Sequence, residues 1–108
     1  MEITDSVLHG IPVLVLRGRL DGVTAPAVEQ KIATLLASDA TRLVLDCSGI
    51  EYASSAGLRV FLSAAKKLKT AGGRCGFAAL TPPMIEIFKI SGFLDVLEIH
   101  DTVESATA

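Results

Sequence analysis

Two adjacent serines, Ser54 and Ser55, stand where a run of small and polar residues meets an apolar, helix-like segment. A hydroxyl at a helix start lies beside unpaired backbone N–H groups and the positive end of the helix dipole. Pattern alone favours helix capping for one of these serines. The functional alternative is a phosphate acceptor, because a phosphate at this place gains hydrogen bonds and adds close to two negative charges.

A second hypothesis makes one of these serines the nucleophile of an enzyme. A hydrolase elbow has the pattern G-x-S-x-G, but Ala53 occupies the place of its first glycine relative to Ser55. A serine nucleophile also needs a base within hydrogen-bond reach. The two histidines, His9 and His100, fall in a turn and after the last strand. We therefore expect a binding protein and no enzyme.

The composition favours one folded domain over residues 1–108. The chain has 108 residues, of which 50% are hydrophobic and 20% charged, with a mean hydropathy of +0.51. This excludes disorder, and no apolar run approaches the roughly 20 residues of a membrane span. The acidic start at residues 1–5 does not resemble a secretory signal, so we expect a cytoplasmic protein.

Cys47 and Cys75 match no metal-ligand spacing and are expected to be buried free thiols.

The charge balance argues against nucleic-acid partners. The chain has ten Lys and Arg residues and twelve Asp and Glu residues, so the formal net charge is −2. The basic cluster at Lys66, Lys67 and Lys69 falls on what the pattern predicts as the solvated face of a helix. No glycine-rich phosphate cradle and no metal-ligand set is present, so we expect no cofactor and no metal.

The hydrophobic periodicity predicts an α/β domain with the order β-β-α-β-α-β-α-β-α. Such alternation indicates a mixed, mostly parallel five-stranded sheet with about four helices. The first strand can pair only as an antiparallel neighbour of the second, through the short turn at Gly10. The predicted strands cover about 3–9, 11–20, 42–46, 75–80 and 95–99.

The predicted helices cover about 24–38, 55–70 and 82–90, with a short helix at the carboxyl end. Thr24 is expected to cap the first helix, and Asp101 with Glu104 the last. Residues 47–54 are expected to form a loop. The inward stripes are expected at Val28, Ile32, Leu35 and Leu36; at Leu58, Phe61, Leu62, Ala65 and Leu68; and at Met84, Ile85, Ile87 and Phe88.

The carboxyl ends of parallel strands and the starts of the following helices gather at one edge of a sheet. Asp21, Ser48 and Tyr52 are therefore expected at the same edge as Ser54 and Ser55. Asp21 has the simpler alternative of capping its own loop. For Tyr52 we favour a ring that closes the core beneath the loop.

Residues 46–50 (DCSGI) and 52–60 (YASSAGLRV) together resemble the signature of STAS domains of the anti-sigma factor antagonist type. The segment 18–21 (GRLD), followed by a Thr-Ala-Pro helix start, is similar to the same family. The predicted element order agrees with it over essentially the whole chain. The tetrapeptide at residues 54–57 alone would be a weak signal.

The resemblance implies a bacterial regulatory switch. In that family the unphosphorylated protein binds an anti-sigma factor that is itself a serine kinase, and so frees a sigma factor. The kinase phosphorylates a serine two residues before a glycine, here Ser55, and a serine phosphatase resets it. Ser54 falls where many members have Asp, which leaves it as a rival acceptor, and Ala56 falls where many have Ser or Thr.

The partner-binding surface implied by this reading combines the strand ends with the start of the second helix. Gly57 and Ala56 lack bulk, so the backbone of a partner could approach closely. We expect the chain to be a monomer on its own. The alternative is a STAS subunit that is never phosphorylated and serves as a scaffold in a stress-signalling or transporter-associated complex. The expected surface consists of Asp21, Gly22, Thr24, Ser48, Tyr52, Ser54, Ser55, Gly57 and Arg59.

Overall fold

The computed structural model describes residues 1–108, and its elements follow the predicted order β-β-α-β-α-β-α-β-α. A single 3-10 turn, Phe93–Asp95, precedes the last strand. The strands are β1 (Glu2–Leu8), β2 (Ile11–Leu20), β3 (Arg42–Ala53), β4 (Arg74–Ala78) and β5 (Glu98–His100). The helices are α1 (Ala25–Ala37), α2 (Ser55–Thr70), α3 (Pro82–Ile90) and α4 (Val103–Ala106).

The five strands form one sheet in the order β1-β2-β3-β4-β5. β1 pairs antiparallel with β2, and all later pairs are parallel, as the sequence predicts. The turn between the first two strands is His9-Gly10, and both residues have positive φ angles, 52° and 76°. Such left-handed pairs match the twist of two antiparallel strands, so the hairpin prediction is confirmed.

The two faces of the sheet carry two separate cores, because successive strand residues point to opposite sides. In β3, Leu43 and Leu45 belong to the main core, whereas Val44 belongs to the smaller one. α1, α2 and α3 cover the main face, and Ala106 of α4 packs on the other face. β2 is buried on both faces along much of its length, as expected for a central strand.

Aromatic packing fixes α2 and α3 on the main face of the sheet. The ring of Phe61 lies 5.0 Å from Phe77 and 6.1 Å from Phe88, measured between centroids. All three rings are fully buried. The predicted inward stripes of α1 and α2 are buried or half-buried, and Lys66, Lys67 and Lys69 are exposed as predicted. In α3, Ile85 is 44% exposed, so its predicted inward position is wrong.

The prediction of a loop over residues 47–54 is wrong, because β3 continues to Ala53. β2 is long enough to pair with β3 as far as Leu20 opposite Ala53. Register shifts between Val15 and Arg17 and between Gly18 and Arg19 absorb the small, polar residues that looked like a loop. β4 ends at Ala78, so the last part of β3 has only β2 beside it.

Other element ends also differ from the predictions. Thr24 precedes α1, but its side chain makes no capping hydrogen bond. At α4 the capping box joins Thr102 and Ser105, not Asp101 and Glu104, because the helix begins one residue later than expected. The strand predicted at 75–80 covers Arg74–Ala78, and the segment predicted as a strand at 95–99 is partly the 3-10 turn.

None of the helices combines the length and apolar composition that a membrane span needs.

Candidate functional site

The start of α2 gives the two serines different surroundings. Ser54 is the residue before the helix, and its hydroxyl accepts a hydrogen bond from the backbone N–H of Gly57 at 3.4 Å. Its own N–H donates to the carbonyl oxygen of Leu20 at 2.8 Å. Ser54 is therefore the half-buried N-cap that joins α2 to the end of β2.

Ser55 is the first residue of α2, and it is exposed. No acidic residue occupies the first turn of this helix. Arg59 follows one turn later and is also exposed, so the two side chains share one face of the helix. A negatively charged group on Ser55 would meet the positive end of the helix dipole and a nearby guanidinium.

The close contact between α2 and β2 depends on Gly57. This residue is buried, and a Cβ atom placed on it would lie 2.6 Å from Cγ of Leu20. Its missing side chain therefore serves packing inside the protein. Gly57 is expected from the sequence to let the backbone of a partner approach closely, and its burial does not agree with this expectation. The neighbouring Ala56 is half-buried.

The loop from β2 to α1 forms the second part of the site. The Oδ1 atom of Asp21 accepts hydrogen bonds from the backbone N–H groups of Val23 at 3.0 Å and Thr24 at 3.2 Å. The bonds from Thr24 and Val23 lower the pKa of the Asp21 carboxyl. Thr24 in turn donates from its hydroxyl to the carbonyl oxygen of Arg19 at 2.7 Å. Asp21 thus has the loop-capping role that the simpler alternative gave it.

One exposed residue, Val23, extends this surface beyond the residues predicted from the sequence. Val23 is 88% exposed at the tip of the β2–α1 loop, next to the exposed Gly22. Its position between Gly22 and Thr24, outside any apolar stripe, is the only sign of this exposure in the sequence. Because the neighbouring Leu20 bonds to Ser54, the loop and the start of α2 lie side by side.

Tyr52 does not close the core, so the favoured reading of its role is wrong. It is 40% exposed, and the guanidinium carbon of Arg19 lies 4.6 Å from the centre of its ring. The two residues are register partners on β2 and β3. Both belong to the face opposite the main core, because Leu20 and Ala53 beside them are buried in that core. Nothing in the sequence spacing predicts this cation–π pair.

Ser48 does not join the strand-end cluster. It lies in the middle of β3, five residues before Ala53, where its backbone N–H donates to Oδ1 of Asp46 at 3.0 Å. The expectation that it shares an edge with Ser54 and Ser55 is therefore wrong. The cause is the extension of β3, which moves Ser48 back along the strand.

The groups that an enzyme would need lie elsewhere. His9 lies in the turn before β2 and is hydrogen-bonded to Thr107 at 3.1 Å, whereas the two serines lie beside the end of that strand. His100 is the last residue of β5 and contacts Glu98 at 2.8 Å. Burial raises the pKa of the Cys75 thiol to about 12 and also raises the pKa of Cys47, and both are buried free cysteines as expected.

Residues 2–106 match the family described as the STAS domain. The chain belongs to the STAS domain family. A Bordetella bronchiseptica relative, BtrV, which is named as an anti-sigma factor antagonist, is 34% identical over 108 residues, covering 100% of this chain and 93% of that protein.

Solved structures of two similar proteins have the same fold. An anti-sigma factor antagonist from Mycobacterium paratuberculosis superposes with a TM-score of 0.87 at 28% identity, covering 97% of this chain and 89% of that one. The Bacillus protein SpoIIAA in its phosphorylated form superposes with a TM-score of 0.76 at 23% identity, covering 97% and 96%. The family resemblance and the α/β fold predicted from the sequence are thus confirmed.

Proposed function

We propose that this STAS protein is an anti-sigma factor antagonist, whose unphosphorylated form binds an anti-sigma factor and so frees a sigma factor. The observation that carries the proposal is the exposure of Ser55 at the first position of α2, beside the β2–α1 loop. The names of its relatives support the same role. The docking surface would combine Gly22, Val23 and Thr24 of that loop with Ser55 and Arg59 of α2.

Phosphorylation of Ser55 would switch this binding off. Ser55 is exposed and is the first residue of the helix, whereas Ser54 is half-buried and engaged as the N-cap. This difference supports Ser55 as the acceptor over Ser54. The phosphate would place nearly two negative charges beside the exposed Val23 loop and would repel or displace a partner that docks there.

The proposal needs two further proteins. The anti-sigma factor would itself be a serine kinase that binds ATP and transfers its terminal phosphoryl group to the serine hydroxyl, releasing ADP. A serine phosphatase would reset the switch by hydrolysing the phosphoserine. The phosphorylated form of SpoIIAA is a precedent for phosphorylation in a protein of this fold. A role in releasing a sigma factor implies a cytoplasmic protein, and we propose a monomer in the absence of its partner.

The first experiment is intact mass measurement and peptide mapping of the protein purified from its native cell. We expect one added phosphate, located on Ser55. The Ser55→Ala variant, expressed with an affinity tag, should lose the phosphate and co-purify with a protein that contains an ATP-binding serine-kinase domain. Ser48→Ala is the matched control, because Ser48 is also exposed but lies away from α2.

One result would change the assigned acceptor, and a second would contradict this function. A phosphate that persists on Ser55→Ala would transfer the acceptor role to Ser54. An unphosphorylated protein in every growth state, combined with Ser55→Asp binding the partner as tightly as the wild type, would refute the switch. The second result would favour the alternative of an unmodified STAS scaffold subunit.

A further inference from the structure

A groove separates the carboxyl-terminal half of α2 from the chain that leads into β5. Its volume is about 400 Å³, within the usual range of about 300–1,000 Å³ for ligand sites. Leu62 and Ala65 of α2 and Val96 and Leu97 before β5 form its apolar lining. Hydrophobic residues make up half of this lining and a smaller share of the linings of the other two surface depressions.

The apolar lining is open to solvent at one side. Val96 is 67% exposed, and Leu94, two residues earlier, is 36% exposed. β5 forms the edge of the sheet here, and it has a neighbouring strand, β4, on one side only. Exposed apolar side chains next to a free strand edge mark a surface that an extended segment of another chain can cover.

Basic side chains surround this apolar lining. Lys66, Lys69 and Arg74 lie at the groove, against a single carboxylate, Glu98. Arg74 already pairs with Glu98 through two hydrogen bonds of 3.0 Å. Lys66 and Lys69 are exposed and form no salt bridge. The groove is therefore locally positive on a chain whose formal net charge is −2.

We propose that this groove binds an acidic protein segment that places an apolar side chain between Leu62 and Val96. The two unpaired lysines, which follow Leu62 along α2, would meet carboxylates of that segment. A concave apolar lining suits a protruding side chain better than the flat surface of a membrane. The proposal does not depend on the phosphorylation switch.

The groove is a second surface, separate from the start of α2. Lys66 follows Ser55 by eleven residues, which corresponds to about 16 Å along the helix. That separation exceeds the Debye length of about 8 Å at physiological ionic strength. A partner held in the groove would therefore stay bound when the charge at Ser55 changes. The protein would then have one phosphate-sensitive contact and one permanent contact.

The test uses the full chain labelled with ¹⁵N and two synthetic peptides, Asp-Glu-Leu-Asp-Leu-Glu-Asp and its neutral form with Asn and Gln. We expect the acidic peptide to shift the amide signals of Ala65, Lys66, Val96 and Leu97 in a saturable way, and to leave those of Ser54 and Ser55 unchanged. The neutral peptide should bind at least about fivefold more weakly than the acidic one. Added salt should weaken the binding of the acidic peptide.

Charge-reversal variants locate the site. The double variant Lys66→Glu, Lys69→Glu should lower the affinity for the acidic peptide by about tenfold, which corresponds to about 1.4 kcal/mol. Lys67→Glu is the matched control, because Lys67 is exposed on the same helix but lines a different depression. Val96→Ser should weaken binding without unfolding the chain, and Ser55→Asp should change it by less than about twofold.

Several outcomes would overturn the proposal. One is equal loss of binding in the Lys67→Glu control and the double variant. Another is a shift pattern centred on the start of α2, or no saturable shift at millimolar peptide. Stronger binding to phosphatidylglycerol vesicles than to the peptide would assign the groove to an anionic membrane surface instead.

Discussion

Gly57 lies directly against Leu20, so that the first turn of α2 rests on the last residue of β2. A Cβ atom at position 57 would lie 2.6 Å from Cγ of Leu20 and 2.8 Å from its carbonyl oxygen. That carbonyl oxygen also accepts the hydrogen bond from the N–H of Ser54 at 2.8 Å. The position of Ser55 relative to the β2–α1 loop therefore depends on a residue without a side chain.

Gly57→Ala should lower the free energy of unfolding by about 1–3 kcal/mol, because the added methyl group overpacks a buried contact with backbone. Urea unfolding, monitored by circular dichroism, measures this free energy. Gly22→Ala is the control, since its Cβ would have no atom within 4 Å. Equal stability of the two variants would mean that α2 can shift away from β2 at little cost.

The two serines should respond differently to alanine. Ser54→Ala removes the N-cap of α2 and should lower the free energy of unfolding by about 1 kcal/mol. Ser55→Ala removes an exposed hydroxyl and should change it by less than about 0.5 kcal/mol. The same urea titrations compare them. If Ser55→Ala were the more damaging variant, the assignment of the cap to Ser54 would be wrong.

A negative charge at position 55 should stabilise the fold. Ser55→Asp places a carboxylate at the positive end of the helix dipole and one turn before Arg59, and should raise the free energy of unfolding by about 0.3–1 kcal/mol. Thr70→Asp, at the opposite end of α2, is the control and should lower it. Destabilisation by Ser55→Asp would contradict a favourable interaction of the carboxylate with the start of α2 and with Arg59.

Phe61→Ala should lower the free energy of unfolding by about 3–5 kcal/mol, because a fully buried ring between Phe77 and Phe88 is replaced by a cavity. Phe93→Ala is the comparison. Phe93 is only half-buried, so its replacement should lower the free energy of unfolding by less. Urea unfolding again provides the values. A loss below about 1 kcal/mol for Phe61→Ala would be incompatible with the main core described above.

Acid should weaken the contact between β4 and β5. Partial burial acts to raise the pKa of Glu98, but the hydrogen bonds from Arg74 and His100 outweigh it, and the pKa lies below its usual value. A carboxyl with a lowered pKa in the folded state stabilises the protein above the unfolded-state pKa of about 4.3. That contribution disappears as the pH falls through the lower, folded-state pKa.

Unfolding by urea at pH 6 and at pH 3 tests this dependence. The wild type should lose more stability between these pH values than Glu98→Gln does. Glu86→Gln, which alters an exposed carboxylate outside any salt bridge, should resemble the wild type. Identical losses in the wild type and Glu98→Gln would show that this carboxylate does not contribute to the acid sensitivity.

Much of the architecture was predictable because it depends on local periodicity. Val28 and Ile32 repeat at helical spacing, and Val13 to Leu16 form a continuous apolar run of the kind found in a strand buried on both faces. The residues 47–54 were misassigned because small and polar residues normally indicate a loop. In the fold the length of β2 and two register shifts hold them in a strand.

The candidate site was predictable only in part. The position of Ser55 at a helix start follows from the apolar stripe that begins at Leu58, and so does the presence of a serine N-cap. Which serine caps the helix, and which one is exposed, depends on the hydrogen bonds from Gly57 and to Leu20. The contact between Arg19 and Tyr52 depends on strand register, which a sequence pattern does not contain.

The sequence by itself determined the order of strands and helices, the family signature and the place of two serines before α2, because these depend on residue types and their local spacing. The tertiary structure alone decided that Gly57 is buried against Leu20, that Ser48 lies far from the serines, and that Val96 and the lysines of α2 line one groove. These relations join residues from different elements, and such distances are set by packing and register, which no local pattern encodes.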